Sequence, residues 1–187
     1  MNLDLNKTDI PNVSTQEPFA MRCKKWLGNA STFLSDTNSL KFIVITLAVT
    51  YIIPFVLIIP FKVIGVEDII LSDAPSVSKR GVVMMFLLGV IFAPIYETIL
   101  FQVIPYHILK RVPFLNRNKW LIIAISALLF GVTHWYSVMY IIFAFSVGFV
   151  LMYVYAARVE GKPNAYVLII IVHMLRNLVA FSADTFF

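Results

Sequence analysis

The sequence predicts an all-α fold, a polytopic membrane helix bundle of about five transmembrane helices behind an N-terminal amphipathic segment. Three observations carry that expectation. The 187 residues are 60% hydrophobic and only 13% charged, with a mean hydropathy of +0.86, whereas a soluble domain is close to half apolar and about a quarter charged. The apolar runs reach the length of about 20 residues that a helix needs to cross a hydrocarbon core. They lack the alternation of barrel strands, so each spanning segment satisfies its own backbone as a helix.

Residues 1 to about 18 read as a polar tail without the basic-then-apolar pattern of a signal peptide, so the first span is expected to stay as an anchor. The following stretch "FAMRCKKWLGNASTFL" interleaves Phe19, Met21, Trp26, Leu27, Phe33 and Leu34 with cations, as a helix lying in the interface would. A first span over about Leu40–Ile64 contains Pro54 and Pro60, and the loop "GVEDIILSDAPSVSKR" leads to a second, unusually long span over Gly81–Leu109. Pro94 lacks a backbone donor, which predicts a kink or a widened turn just before Glu97. Past the basic loop "KRVPFLNRNK" come spans over Lys119–Trp135 and Val138–Ala157, then the hydrophilic turn "RVEGKPN" and a fifth span over Ala165–Ala183. Residues 1–39 thus form a tail and interfacial segment, and residues 40–187 one transmembrane domain.

Charge orients this arrangement. Eleven Lys and Arg residues fall on the amino-terminal side of the spans, against Lys62, Lys79 and Arg80 opposite, so the positive-inside rule predicts a cytoplasmic amino terminus. A formal charge of +5 then reflects topology and anionic headgroups, and no nucleic-acid module is present. The single cysteine, Cys23, excludes an internal disulfide and sits among Arg22, Lys24 and Lys25 as a juxtamembrane residue. The small size and the lack of targeting signals point to a bacterial plasma membrane.

Inside the spans the informative residues are Glu97, His134, His173, Arg176 and Asn177, because ionisable groups in a membrane usually face a bundle interior or a water cavity. Counted from the basic end of each span, Glu97, His134, His173 and Asn177 lie roughly 12 to 23 Å deep at about 1.5 Å per residue. Three helices therefore deliver polar groups to one layer. His173 and Asn177 are four residues apart on one helix face, as are Phe130 and His134. A carboxylate, two imidazoles and an amide converging on water are the parts of a hydrolytic site, with Glu97 as general base, the histidines as polarising groups or metal ligands, and Asn177 as an oxyanion donor. His107, near Lys110 and Arg111 at a helix end, reads as structural. Ser146 lacks the glycine context of a serine intramembrane protease, and Gly148 and Ala144 read as close-packing positions.

The segments "APIYETILFQ", "FGVTH" and "HMLRN" resemble, in order and spacing, the three signatures of the CPBP family, the Abi-type intramembrane proteases that include CAAX prenyl endopeptidases and bacteriocin-processing enzymes. The family forms are E-E-x-x-x-R after a proline, F-x-x-x-H and H-x-x-x-N. They map onto Glu97, onto Phe130 with His134, and onto His173 with Asn177. Thr98 stands where the family has a second glutamate and Gln102 where it has arginine, and Arg176 is a candidate for the missing cation, pairing with Glu97 or with a substrate carboxylate. The resemblance implies an endopeptidase cutting a membrane-embedded or lipidated peptide or protein, Glu97 activating water and His134, His173 and Asn177 completing the site, with Phe130, Arg176, Thr98 and Gln102 in support. Zinc held by Glu97, His134 and His173 is the possible cofactor, although no requirement for metal is expected. The alternatives are a catalytically relaxed bacteriocin self-immunity or scaffold protein of the same family, and a small proton-coupled transporter.

Overall fold

The computed structural model describes residues 18–63, 65 and 81–186. The expected polar tail and nearly all of the loop after the first span lie outside the described residues. Among the described residues the chain is helical and without strands: α1 (Phe19–Asp36), α2 (Ser39–Val63), α3 (Val82–Leu109), α4 (Pro113–Arg117), α5 (Lys119–Val132), α6 (Val138–Arg158) and α7 (Ala165–Phe186). Four of these, α2, α3, α6 and α7, are long and apolar enough to cross a membrane, and α5 is a shorter apolar helix of 14 residues. The protein is an integral membrane helix bundle.

Helix α6 is its axis, with 56% of its spanning window buried inside the protein against 22% for α2 and for α3. The outer helices leave Ile52, Phe55, Val56, Val83, Leu88 and Leu100 exposed, which in a bilayer is contact with acyl chains rather than water. Contact between α5 and α6 is close because two glycines permit it. A Cβ on Gly148 would come within 2.8 Å of the Phe130 ring, and one on Gly131 within 3.1 Å of the Ile141 carbonyl oxygen. Trp120 stacks on Phe149 and Tyr153 nearer the start of α5.

Helix α1 has its own anchors. The Tyr153 hydroxyl donates to the carbonyl of Leu27 at 2.6 Å. The fully buried Arg158 donates through Nη1 to the carbonyls of Leu34 (2.9 Å) and Thr37 (3.0 Å), with its guanidinium over the Phe42 ring. The last carbonyls of a helix have no intrahelical partners, so a cation there satisfies both hydrogen bonding and the helix dipole. Outward from this contact α1 exposes Phe19, Met21, Trp26 and Phe33, as an interfacial helix requires.

Helix α3 departs from regular α geometry twice. Phe86–Phe92 and Ile99–Val103 are π-helical, and the Ala93 N–H reaches back five residues to Leu88. Continuing that register would aim the next donor at the Gly89 carbonyl, but the next residue is Pro94, which has none. Pro105 likewise leaves acceptors one turn back, and the Ser126 hydroxyl of α5 donates to the carbonyl of Phe101. The widening expected at Pro94 is present, and Glu97 stands on the short α-helical segment Ala93–Thr98 between the two π stretches.

One boundary differs from expectation. The third apolar segment was expected to run to Trp135, but α5 ends at Val132 and His134 lies in the turn beyond it. Chain reversal begins at Phe130, whose carbonyl accepts from the Thr133 hydroxyl at 2.8 Å instead of continuing the helix. Ser137 then starts α6, its hydroxyl accepting from the Tyr140 N–H at 3.1 Å.

Candidate active site

Four helices and one turn meet around a cavity of about 160 Å³ lined by Glu97 from α3, Phe130 from the end of α5, His134 from the turn after it, Tyr140, Phe143 and Val147 from α6, and His173, Arg176 and Asn177 from α7. Six of the eight sequence-selected residues line it. The other two, Thr98 and Gln102, are fully buried directly behind Glu97.

Each polar group is held by an identifiable contact. His134 Nδ1 lies 2.7 Å from the carbonyl of Phe130. A carbonyl only accepts, so Nδ1 carries the proton and Nε2 faces the cavity, 3.9 Å from Glu97 Oε1. The F-x-x-x-H spacing thus has a local explanation: a helix end leaves the Phe130 carbonyl without a backbone donor, and the imidazole four residues on shares it with the Thr133 hydroxyl. The Phe130 ring also packs on the His134 ring at 4.6 Å between centres, and the Tyr140 ring stacks on the same imidazole at 6.0 Å.

His173 is almost entirely buried. Its Nδ1 is 3.4 Å from the Thr98 hydroxyl and its Nε2 is 3.6 Å from Glu97 Oε2. Thr98 therefore orients an imidazole without adding charge. The Gln102 amide, with its nitrogen toward the backbone, donates to the carbonyls of Glu97 (3.2 Å) and Thr98 (3.3 Å). Both replacements turn inward to satisfy neighbouring polar groups, and neither puts charge beside Glu97.

Asn177 Nδ2 donates to the Gly89 carbonyl at 2.9 Å, the acceptor that Pro94 cannot serve. The amide thereby ties α7 to the π-widened turn of α3 and keeps a second N–H for the cavity. Arg176 is 9% exposed, with its guanidinium carbon 5.0 Å from the Phe143 ring centre and 5.6 Å from that of Tyr51, and its Nε has no hydrogen-bond partner among the described residues. Tyr51 in turn donates its hydroxyl to the Arg176 carbonyl at 2.7 Å. The Arg176 guanidinium stands close enough to Glu97 for the two charges to interact, although among the described residues no direct salt bridge joins them.

The donor set of Glu97, His134 and His173 has the composition of a catalytic zinc site, but separations of 3.6 and 3.9 Å exceed the edge of about 3.3 Å implied by zinc bonds near 2.0–2.1 Å. Among the described residues no group of three His, Cys, Asp or Glu side chains is arranged to hold a metal ion.

Comparison with protein families gives a match to a model described as type II CAAX prenyl endopeptidase Rce1-like, over residues 79–179, which is more than half of the chain. The chain belongs to this family. Glu97, Phe130, His134, His173 and Asn177 of the Rce1-like chain all fall within the matched residues, as do Thr98, Gln102 and Arg176. No curated protein and no solved structure matches it. Membership makes this integral membrane protein one of a family of CAAX-type proteases, with peptide substrates.

Tyr136, Tyr140 and Phe143, which line the cavity, and Tyr51, which packs on Arg176, are polar or aromatic site residues that sequence reasoning missed. Tyr140, Phe143, Ala144 and Val147 form an i, i+3, i+4, i+7 stripe on α6, so one signal was available. In a span this apolar, however, such a stripe does not stand out from lipid-facing neighbours.

Proposed function

We propose that this protein is an intramembrane endopeptidase in which Glu97 activates water for attack on a peptide bond presented within the bilayer. The observation that carries the reading is the meeting of Glu97 with two imidazole Nε2 atoms, at 3.9 and 3.6 Å, on one cavity built from separate parts of the chain. The Nε2 of His134, left bare by its Nδ1–H bond, and a Glu97 oxygen are both acceptors. A gap of that size between acceptors suits a water molecule donating to each.

In this mechanism the water oxygen bonds to the scissile carbonyl carbon while Glu97 takes a water proton. The remaining Asn177 N–H and, when protonated there, His173 Nε2 support the tetrahedral oxyanion. The carbon–nitrogen bond then breaks as Glu97 returns its proton to the leaving amine. His134 keeps the water aligned throughout, and metal takes no part.

The proposed substrate is a lipidated or membrane-embedded peptide, and the proposed orientation has the basic end of the bundle in the cytoplasm of a bacterial cell. Clustering of Lys24 with Lys119, and of Lys110 and Lys119 around Glu160, at one end of the helices supports that orientation. The test is cleavage of a quenched fluorescent peptide ending in a prenylated cysteine and three further residues. Glu97→Gln and His134→Ala are expected to lower kcat by about 10²–10⁴-fold, with wild-type activity unchanged by a zinc chelator. Full activity in Glu97→Gln would sink the reading, and chelator-sensitive activity would replace it with a metal-dependent one. A phenotype retained by both variants without any cleavage would identify a scaffold or immunity protein instead.

A further inference from the structure

A second cavity lies at the basic end of the bundle, outside the Glu97 site. It is a cleft of about 240 Å³ between α1, the start of α5 and the end of α6, and its lining includes Lys24 and Gly28, Lys119, Trp120 and Ile123, and Ala156. Along α5 the wall passes from the Lys119 ammonium to the Trp120 ring and then, a turn deeper, to the buried Ile123. Nothing lies within 4 Å of where a Cβ on Gly28 would stand, so the α1 side is open.

Charge at this end is unbalanced. Lys110 and Lys119 share the one carboxylate of Glu160, and Lys24 has no ion pair among the described residues. Three ammonium groups thus answer to one acid, an excess that favours an anion beside Lys24 and Lys119. The apolar wall below them says what kind. A small soluble anion would meet the two cations and leave Trp120 and Ile123 unused, whereas a lipid phosphate carries its own chain to cover them. The cleft is also smaller than the roughly 300–1,000 Å³ of a pocket that encloses a whole small ligand, so it grips part of a molecule whose remainder stays in the bilayer. We propose that this cleft binds one anionic phospholipid of the surrounding leaflet, its phosphate between Lys24 and Lys119 and one acyl chain against Trp120 and Ile123. The lipid then links α1 directly to α5, adding to the hydrogen bonds that Tyr153 and Arg158 of α6 make to α1.

Trp120 supplies the readout. Trp26 and Trp135 are both well exposed, so Trp26→Phe with Trp135→Phe leaves Trp120 as the one tryptophan of the full-length chain. That protein is placed in phosphatidylcholine vesicles containing phosphatidylglycerol brominated on its acyl chains at increasing mole fraction, with brominated phosphatidylcholine as the reference, and quenching of Trp120 is followed. Phosphatidylglycerol is expected to reach half-maximal quenching at a mole fraction about 10- to 30-fold lower than the reference, as two cations at a surface imply. Lys24→Gln should raise the phosphatidylglycerol half-point about five-fold, and Gly28→Leu, which fills the cleft from its open side, should raise it as well. Neither change touches a packed side chain or an ion pair, so both variants should fold. Equal half-points for the two lipids would overturn the proposal, as would an unchanged half-point in either variant. Relief of quenching by inorganic phosphate beyond that given by chloride at equal ionic strength would make this a site for a free anion and equally overturn it.

Discussion

At the scale of single residues, the two positions where the family resemblance leads one to expect charge hold neutral side chains engaged with their polar neighbours. Thr98 and Gln102 are both fully buried, the one against His173 and the other against the carbonyls of Glu97 and Thr98. Restoring the family pattern one residue at a time should therefore be harmful. Gln102→Arg alone buries a cation where a neutral amide now serves two backbone carbonyls, and Thr98→Glu alone buries an acid beside His173. Each is expected to cost about 3 kcal/mol or more. The double substitution should cost clearly less than the two added together, because the new charges can pair. Chemical unfolding of the three variants in detergent checks this, and strict additivity would show that the two positions do not meet. The charged members of the site were legible in the sequence for the reason that makes them costly: Glu97, His134, His173 and Arg176 stand out against apolar spans. Tyr51 and Tyr140 did not, since aromatic residues in spans are common and only packing shows which of them touches an imidazole or a guanidinium.

At the scale of helices, placement of His134 depends on how closely α5 approaches α6. The Phe130 ring fills the space that a side chain at Gly148 would need, and the Phe130 carbonyl is what fixes the imidazole. Gly148→Ala should force that ring away, at a cost of about 1–3 kcal/mol in stability, and should lower kcat with little change in KM. Peptide cleavage kinetics combined with thermal unfolding separate the two effects; an unaltered kcat would mean that Phe130 does not position His134. Four of the expected spans followed from length and hydropathy, while the third expected span is the 14-residue α5 and the short α4 lies in what read as a loop. The end of α5 did not follow from them, because Gly131, Val132 and Thr133 are compatible with a continuing span and the reversal comes from side-chain hydrogen bonds to a backbone carbonyl. Pro94 announced a widened turn in α3, but nothing in the sequence indicated that Asn177 of another helix would occupy the carbonyl left open there.

For the whole molecule, the basic end is held together by one acid. Glu160 accepts from Lys110 at 2.9 Å, from Lys119 at 3.0 Å and from the Tyr106 hydroxyl at 3.1 Å, linking the ends of α3, α5 and α6. The hydrogen bonds from Lys110 and Lys119 lower the pKa of its carboxyl from an ordinary 4.5 to about 2. A carboxyl depressed on folding stabilises the folded state fully above its unfolded pKa, and that contribution is lost as pH falls through the folded value. The advantage of wild type over Glu160→Gln should accordingly be constant above about pH 5 and vanish as pH approaches 2. Because the carboxylate is almost half exposed, added salt should shrink the advantage. Unfolding of both proteins across this pH range is the measurement, and a difference that persists at pH 2 would assign the effect to packing. The bundle architecture was legible from composition alone; this three-way tie was not, since "RVEGKPN" shows an acid in a turn but not which distant cations reach it.

The shortness of α5 has a consequence for the supply of the reactant. Fourteen residues span about 21 Å, whereas the hydrocarbon layer is about 30 Å thick. With Lys119 held at the basic surface, the opposite end of the helix stops well short of the far headgroups, and the bilayer meets such a mismatch by thinning. The far leaflet should dip over the turn that carries His134, bringing bulk solvent to the mouth of a cavity whose chemistry consumes water. A nitroxide at position 136, introduced as Tyr136→Cys in a Cys23→Ser background, should then collide with a water-soluble relaxation agent as readily as one at an interface. Collision with oxygen alone would show an undisturbed leaflet and require the water to arrive by another route.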